Sequence, residues 1–109
     1  SHPASSPQAV DDMSKAIELV RRARELDPRS YRSTYELARG LIGLGHLQEL
    51  VNRGDDAEVS WKESLELTAP LLGAEAAEPG QSEATLELYL TALARLSTTA
   101  ERRGELEVA

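Results

Sequence analysis

The sequence contains no cysteine and no phenylalanine, and only one tryptophan and three tyrosines. Without cysteine there can be no disulfide, no thiolate metal site and no cysteine nucleophile. A reducing compartment fits, and the cytoplasm is the expected location. Positive charge is also scarce. Twelve Lys and Arg stand against nineteen Asp and Glu, a net charge of −7. Nucleic-acid binding needs clustered cations on phosphates, and an anionic membrane surface needs the same. Neither partner is expected, and the acidic balance serves solubility. No apolar run approaches the roughly 18 residues of a membrane-spanning helix. The start, SHPASSPQ, lacks the basic and apolar layout of a secretory signal. Residues 1–10 are expected to form a flexible tail. The cations are mostly arginine, with Lys15 and Lys62 the exceptions, which fits a GC-rich bacterial source.

What remains is rich in Leu, Ala and Glu, which are strong helix formers. Few β-branched or aromatic residues are left to build strands. The 109 residues suffice for one domain with a real core. Apolar periodicity predicts four helices, at about residues 11–27, 30–52, 55–72 and 82–103. In the first, Met13, Ala16, Ile17, Val20 and Ala23, with Leu19 and Leu26 less central, read as one stripe. Asp11 or Asp12 would cap it and Pro28 would end it. The second carries Leu37, Ala38, Leu41, Ile42, Leu44, Leu47, Leu50 and Val51. Its cap is Ser33, in a box with Glu36, or alternatively Ser30. Gly54 is placed to be its left-handed stop. The third, capped by Asp55 with Glu58, turns Ala57, Trp61, Ser64, Leu65 and Leu67 inward, and Pro70 should kink or end it. A loop follows over residues 73–81. The fourth, capped by Ser82, is expected to bury Leu86, Leu90, Leu93, Ala94 and Ser97. The closing GELEVA reads as a turn and the start of a further helix.

The stretch GLIGLG, residues 40 to 45, invites a nucleotide-loop reading. A dinucleotide fingerprint needs G-x-G-x-x-G after a strand and at the mouth of a helix. Here the order is G-x-x-G-x-G, inside a helical pattern, without the Lys and Ser/Thr of a P-loop. Gly40 and Gly43 instead permit close packing or bending of the helix. Catalytic candidates are equally thin. His2 lies in the tail and His46 on a helix, with no HExxH motif and no His–carboxylate cluster. Nothing resembles a nucleophile elbow. The acids, such as Glu18, Glu25, Glu63 and Glu66, spread along solvated helix faces. No catalytic residue, metal or cofactor is expected.

An internal repeat is present. AIELVRRARELDP in the first helix parallels AEVSWKESLELTAP in the third, matching Ala16 to Ala57, Val20 to Trp61, Ala23 to Ser64 and Leu26 to Leu67. YELARGL in the second parallels TALARLS in the fourth, matching Leu37, Ala38 and Arg39 to Leu93, Ala94 and Arg95. At these residues the sequence resembles the tetratricopeptide repeat family. The second-helix pattern of that family is met by Ala16, Val20, Ala23 and Pro28, and again by Ala57, Trp61, Ser64 and Pro70. The first-helix pattern is met by Leu37, Ala38, Leu41 and Gly45, the last as the family's turn glycine. The extra residues around HLQELVN make this similar to the long-helix repeats of kinesin light chains and bacterial signalling proteins.

The resemblance implies an all-α fold of antiparallel helix pairs stacked as a short right-handed solenoid over residues 11–109. It also implies that the chain is out of phase with its repeat. It opens on a second-type helix and closes on a first-type one, as expected of a piece of a longer array, or of one whose ends find other cover. The implied function is a non-catalytic protein–protein interaction module with a groove along the first-type helices. Arg32, Tyr35 and Arg39 of the second helix and Leu88, Thr91 and Arg95 of the fourth fall at the groove positions. Arginines there suit a protein or peptide partner with acidic groups or a C-terminal carboxylate. The alternative for these arginines is pairing with neighbouring acids, Glu36 with Arg32 or Arg39. An oligomerisation or spacer segment, with self-association, is the alternative function. A small-ligand sensor with a pocket between the helices is a third.

Overall fold

The computed structural model describes residues 7–74, 79–102 and 104. It is all-helical: α1 (Pro7–Leu26), α2 (Tyr31–Leu50), α3 (Gly54–Leu72) and α4 (Gln81–Arg102). Each helix packs on the next, and α2 also touches α4. The contacts fix the directions. Gly40 and Gly43 of α2 face Ile17 and Met13 of α1, so the first pair is antiparallel. Ala38, Ile42 and Gln48 of α2 meet Ser64, Trp61 and Ser60 of α3, so the second pair is antiparallel too. α2 and α4 therefore run parallel, joined at their starts by Tyr31 and Thr85 and at their ends by Glu49 and Arg102. The shortest principal extent is 21 Å, about two helix diameters.

Several boundaries differ from the sequence expectation, each for a physical reason. α1 starts at Pro7, not near residue 11, so Asp11 and Asp12 lie inside the helix. Proline is well suited to a first turn, where its missing N–H is not needed. Val10, expected in the tail, is 3% exposed and belongs to the core. The rest of that tail, residues 1–6, lies outside the described residues. Ser30 is the cap of α2, its hydroxyl accepting from the Ser33 N–H at 3.1 Å. The left-handed residue after α2 is Asn52, at φ 64°, and Gly54 already belongs to α3. Asparagine tolerates that region better than other side chains do. Arg53 precedes α3 without a side-chain cap bond, although Asp55 and Asp56 in the first turn complement the helix dipole. Pro70 does not end α3, which continues to Leu72 before Gly73. Gly104, at φ 75°, makes the expected turn, and residues 105–109 lie outside the described residues.

The core splits into two contacts of different character. Between α1 and α2 it is aliphatic: Val10 and Ile17 against Leu37, Leu41 and Leu44, with Met13, Val20, Leu47 and Leu67 at its edge. Between α2 and α3 it is small and polar. Ala38, Ala57 and Ser64 are fully buried, and Ser60 and Trp61 nearly so. Small residues let the two backbones close up, and hydroxyls fix the register. Ser64 donates to the Ala38 carbonyl at 2.8 Å, and Ser60 donates to Gln48 Oε1 at 2.7 Å. Among the described residues, no buried side-chain nitrogen or oxygen lacks a partner, as a low-dielectric interior requires.

The three glycines of GLIGLG explain how these contacts fit. A Cβ on Gly43 would meet Met13 Cε at 3.5 Å, an ordinary contact, and one on Gly40 would stand 3.2 Å from Ile17 Cγ1. A Cβ on Gly45 would fall 2.3 Å from the Trp61 Nε1. Gly45 is thus not a turn: it lies within α2 and is the seat of the indole. α2 continues without a break through all three.

Two apolar stripes are not buried as expected. On α1, Ile17 is buried, but Ala16, Leu19, Ala23 and Leu26 are exposed, Leu19 at 67% and Leu26 at 89%. On α4 the buried residues are Thr85, Leu88 and Ala92. Leu86, Leu90, Leu93, Ala94 and Ser97, expected inside, are exposed. Both helices carry apolar residues on two faces, and each end helix has only one side to cover.

Candidate functional site

The parallel pair α2 and α4 forms the walls of a groove. At its head, Tyr31 Oη lies 2.5 Å from Thr85 Oγ1 and donates to the Gln81 carbonyl at 3.4 Å. At its foot, Arg102 Nη1 donates to Glu49 Oε2 at 2.8 Å. On α4, Ala84, Thr91, Arg95 and Arg102 recur at three- and four-residue multiples, so one helix face carries them. Arg102 reaches α2, which directs that face toward the groove. On α2, Arg32, Tyr35 and Arg39 share a face by the same spacing.

Near the head the groove deepens into a recess of about 320 Å³, lined by Arg32, Tyr35, Glu36, Pro79, Gly80, Gln81 and Ala84. Arg32 and Tyr35 are thus brought together. Glu36, Gln81 and Ala84 join them unforeseen, because the lateral fit of α4 beside α2 is set by tertiary packing alone. Glu36 had been the available partner for either arginine; it takes Arg39, whose Nη2 donates to its Oε2 at 2.8 Å. Arg32 and Arg95 are exposed. Neither forms an ion pair among the described residues. Thr91 is exposed, with its hydroxyl donating to the Glu87 carbonyl of its own helix at 2.8 Å. Leu88 is 9% exposed and part of the packed face of α4. A leucine on the side that meets α3 and α2 is drawn into the core by burial of its apolar area.

The offset between the walls places Arg39 and Arg95 at nearly the same level. Tyr31 sits beside Thr85 and Glu49 beside Arg102, so Arg39 lies beside a residue about a half-turn before Arg95. The groove thus offers Arg39 and Arg102, engaged by Glu36 and Glu49, and Arg32 and Arg95, which form no ion pair among the described residues, on a chain of net charge −7. Guanidiniums present planar pairs of donors that match a carboxylate.

A different arginine has a structural task. Arg21 of α1 makes a paired contact with Glu63 of α3, Nη2 to Oε1 at 2.7 Å and Nη1 to Oε2. The hydrogen bond to Glu63 raises the Arg21 pKa above its ordinary value against an opposing desolvation. It links two helices that otherwise approach each other little. His46 is exposed. Among the described residues, no group of three or more His, Asp or Glu is placed to hold a metal ion, and no helix is long and apolar enough to cross a membrane.

No family model, curated protein or solved structure matches this chain. The class stated by the fold is, over the described residues, an all-α arrangement of four helices with a groove between the parallel second and fourth.

Proposed function

We propose that this chain is a non-catalytic interaction module of the tetratricopeptide kind, which holds an acidic segment of a protein partner in the α2–α4 groove. The observation that carries the reading is the pair of exposed arginines that form no ion pair among the described residues, Arg32 and Arg95, on the facing walls. The recess beside Arg32 adds a half-buried aromatic, Tyr35, and an amide, Gln81. An extended peptide with a carboxylate at each end of this run would meet Arg32 first and Arg95 further along. The repeated pattern of small and large residues supports the tetratricopeptide reading, and the parallel relation of α2 and α4 is the one that family's first-type helices would adopt.

The test is fluorescence anisotropy with labelled acidic peptides, including ones that end in a free carboxylate. Binding should weaken as salt is raised. Arg32→Glu and Arg95→Glu should each lower affinity by about tenfold or more, since a hydrogen bond to a charged group contributes about 1.5–3 kcal/mol. Equal binding by wild type and the double variant would remove the groove from consideration.

A further inference from the structure

The two walls of the groove stand in a fixed axial register, and that register spaces its charges. Tyr31 lies beside Thr85 and Glu49 beside Arg102. Between these two ties α2 and α4 advance by nearly the same number of residues, so a level on one wall converts directly to a level on the other. At about 1.5 Å of rise per residue, Arg95 lies about 13.5 Å further along the groove than Arg32. Arg39 lies about 3 Å short of Arg95. Glu36 and Thr91 fall about midway between Arg32 and Arg95, one on each wall. Arg32 and Arg95 form no ion pair among the described residues. Glu36 is half-buried, lines the recess at the head and holds Arg39 at 2.8 Å. The groove therefore runs from a cation, past an acid and a hydroxyl, to a second cation.

We propose that the groove reads the spacing of two carboxylates: it takes an extended segment with acidic side chains at positions i and i+4 and an uncharged residue at i+2. This rests on the reading of the groove as a peptide site and adds the pattern that the peptide must carry. An extended chain advances about 3.3–3.4 Å per residue, so the span from Arg32 to Arg95 is about four residues. Side chains four apart on such a chain point to the same side, as two contacts with one groove require. On a helix the same span is about nine residues, which places the two acids on opposite faces. Acids two apart on an extended chain span about 7 Å and acids six apart about 20 Å, and neither interval matches the two arginines. One carboxylate enters the recess beside Arg32. The other lies by Arg95, which carries that contact because Arg39 is already held by Glu36. The residue at i+2 passes between Glu36 and Thr91, where a further carboxylate would meet the charge of Glu36.

Fluorescence anisotropy on the whole chain, with short labelled peptides at low salt, tests this. Each peptide holds two aspartates in a Ser/Thr/Ala background, placed two, four or six positions apart, so that net charge is constant. The spacing of four should bind about tenfold more tightly than the other two, the difference between engaging both arginines and engaging one. Double-mutant cycles then assign the contacts. Arg32→Ala should weaken the four-spaced peptide about tenfold but leave unchanged a peptide that lacks one particular aspartate, and Arg95→Ala should do the same for the other aspartate. Both arginines are exposed, and circular dichroism checks that helicity is retained. A third aspartate at the central position should add no affinity to the wild type and should add severalfold in Glu36→Gln. Equal affinity for all three spacings, with binding lost in Arg32→Glu and Arg95→Glu, would overturn the spacing while leaving the groove as a site for acidic segments. Tightest binding at two or six, or coupling of both arginines to one aspartate, would overturn the register. An equal gain from the third aspartate in wild type and Glu36→Gln would remove the requirement at i+2. Failure of every peptide to bind would overturn the groove reading and this inference together.

Discussion

Gly45→Ala places the sharpest demand on the described packing. A methyl at this position would lie 2.3 Å from Trp61 Nε1, 2.7 Å from Cδ1 and 2.8 Å from Cε2. Those atoms belong to a rigid ring that is 1% exposed, so it has nowhere to retreat. Overpacking of this kind costs about 1–3 kcal/mol, and more where the ring must leave its site. Alanine returns about 1 kcal/mol of helix propensity. The indole would also lose its 3.4 Å bond to the Ile42 carbonyl, about another 1 kcal/mol. The net expectation is a loss of about 2 kcal/mol, roughly 10 °C in Tm for a domain of this size. Gly43→Ala is the internal control. Its methyl would meet Met13 Cε at 3.5 Å, so the propensity gain should stand and stability should rise by about 0.5–1 kcal/mol. Urea denaturation followed by emission of the single tryptophan reads both, and that emission should shift to the red only in Gly45→Ala. Equal stability of the two variants would refute the seating of Trp61 on Gly45.

Other substitutions probe separate elements. Ser30→Ala should cost about 1 kcal/mol in thermal or urea unfolding through loss of the α2 cap, while Ser33→Ala should be near neutral because its hydroxyl is not the cap. Glu63→Gln should cost less than about 1 kcal/mol, and less still at high salt. Its pair with Arg21 is about one-third exposed on both sides, and a loss several times larger would mean α1 depends on this link far more than its packing indicates. Ser64→Ala should cost about 1 kcal/mol by removing the donor to the Ala38 carbonyl.

Helix number and order were legible because Leu and Ala recur at helical spacing between clear punctuation at Pro28, Gly54 and Gly80. Most inner residues of α2 and α3 were legible for a related reason, Leu50, 49% exposed, being the exception. Both helices are flanked by neighbours on two sides, so a wide apolar arc is almost wholly covered. Leu37, Ala38, Leu41, Ala57, Trp61 and Ser64 are accordingly buried. The same arc misleads on the outer helices. α1 and α4 carry wide apolar arcs as well, but each has neighbours on one side, and periodicity does not say which half of the arc meets them. Leu90 and Leu93 read as core and are 51% and 41% exposed, while Thr85, a polar residue at the head of the groove, is fully buried. Ser60 and Thr68 were missed inside α3 for the converse reason: their hydroxyls are satisfied by Gln48 and by the Ser64 carbonyl, and a sequence shows the polar group but not its partner. In the groove, the spacing of Arg32, Tyr35 and Arg39 placed them on one face. The pairing of Arg39 with Glu36 rather than Arg32 with Glu36 depends on rotamers, and the recess at Gln81 and Ala84 depends on where the connection after α3 sets α4 down.

The most direct measurement is a two-dimensional NMR titration of the isotope-labelled chain with a short acidic peptide that ends in a free carboxylate. The amide shifts should move in a continuous strip at Arg32, Tyr35, Glu36, Gln81, Ala84, Thr91 and Arg95, and should revert when salt is added. No movement, or movement confined to the outer faces at Leu19 and Leu90, would contradict a peptide-binding groove between α2 and α4.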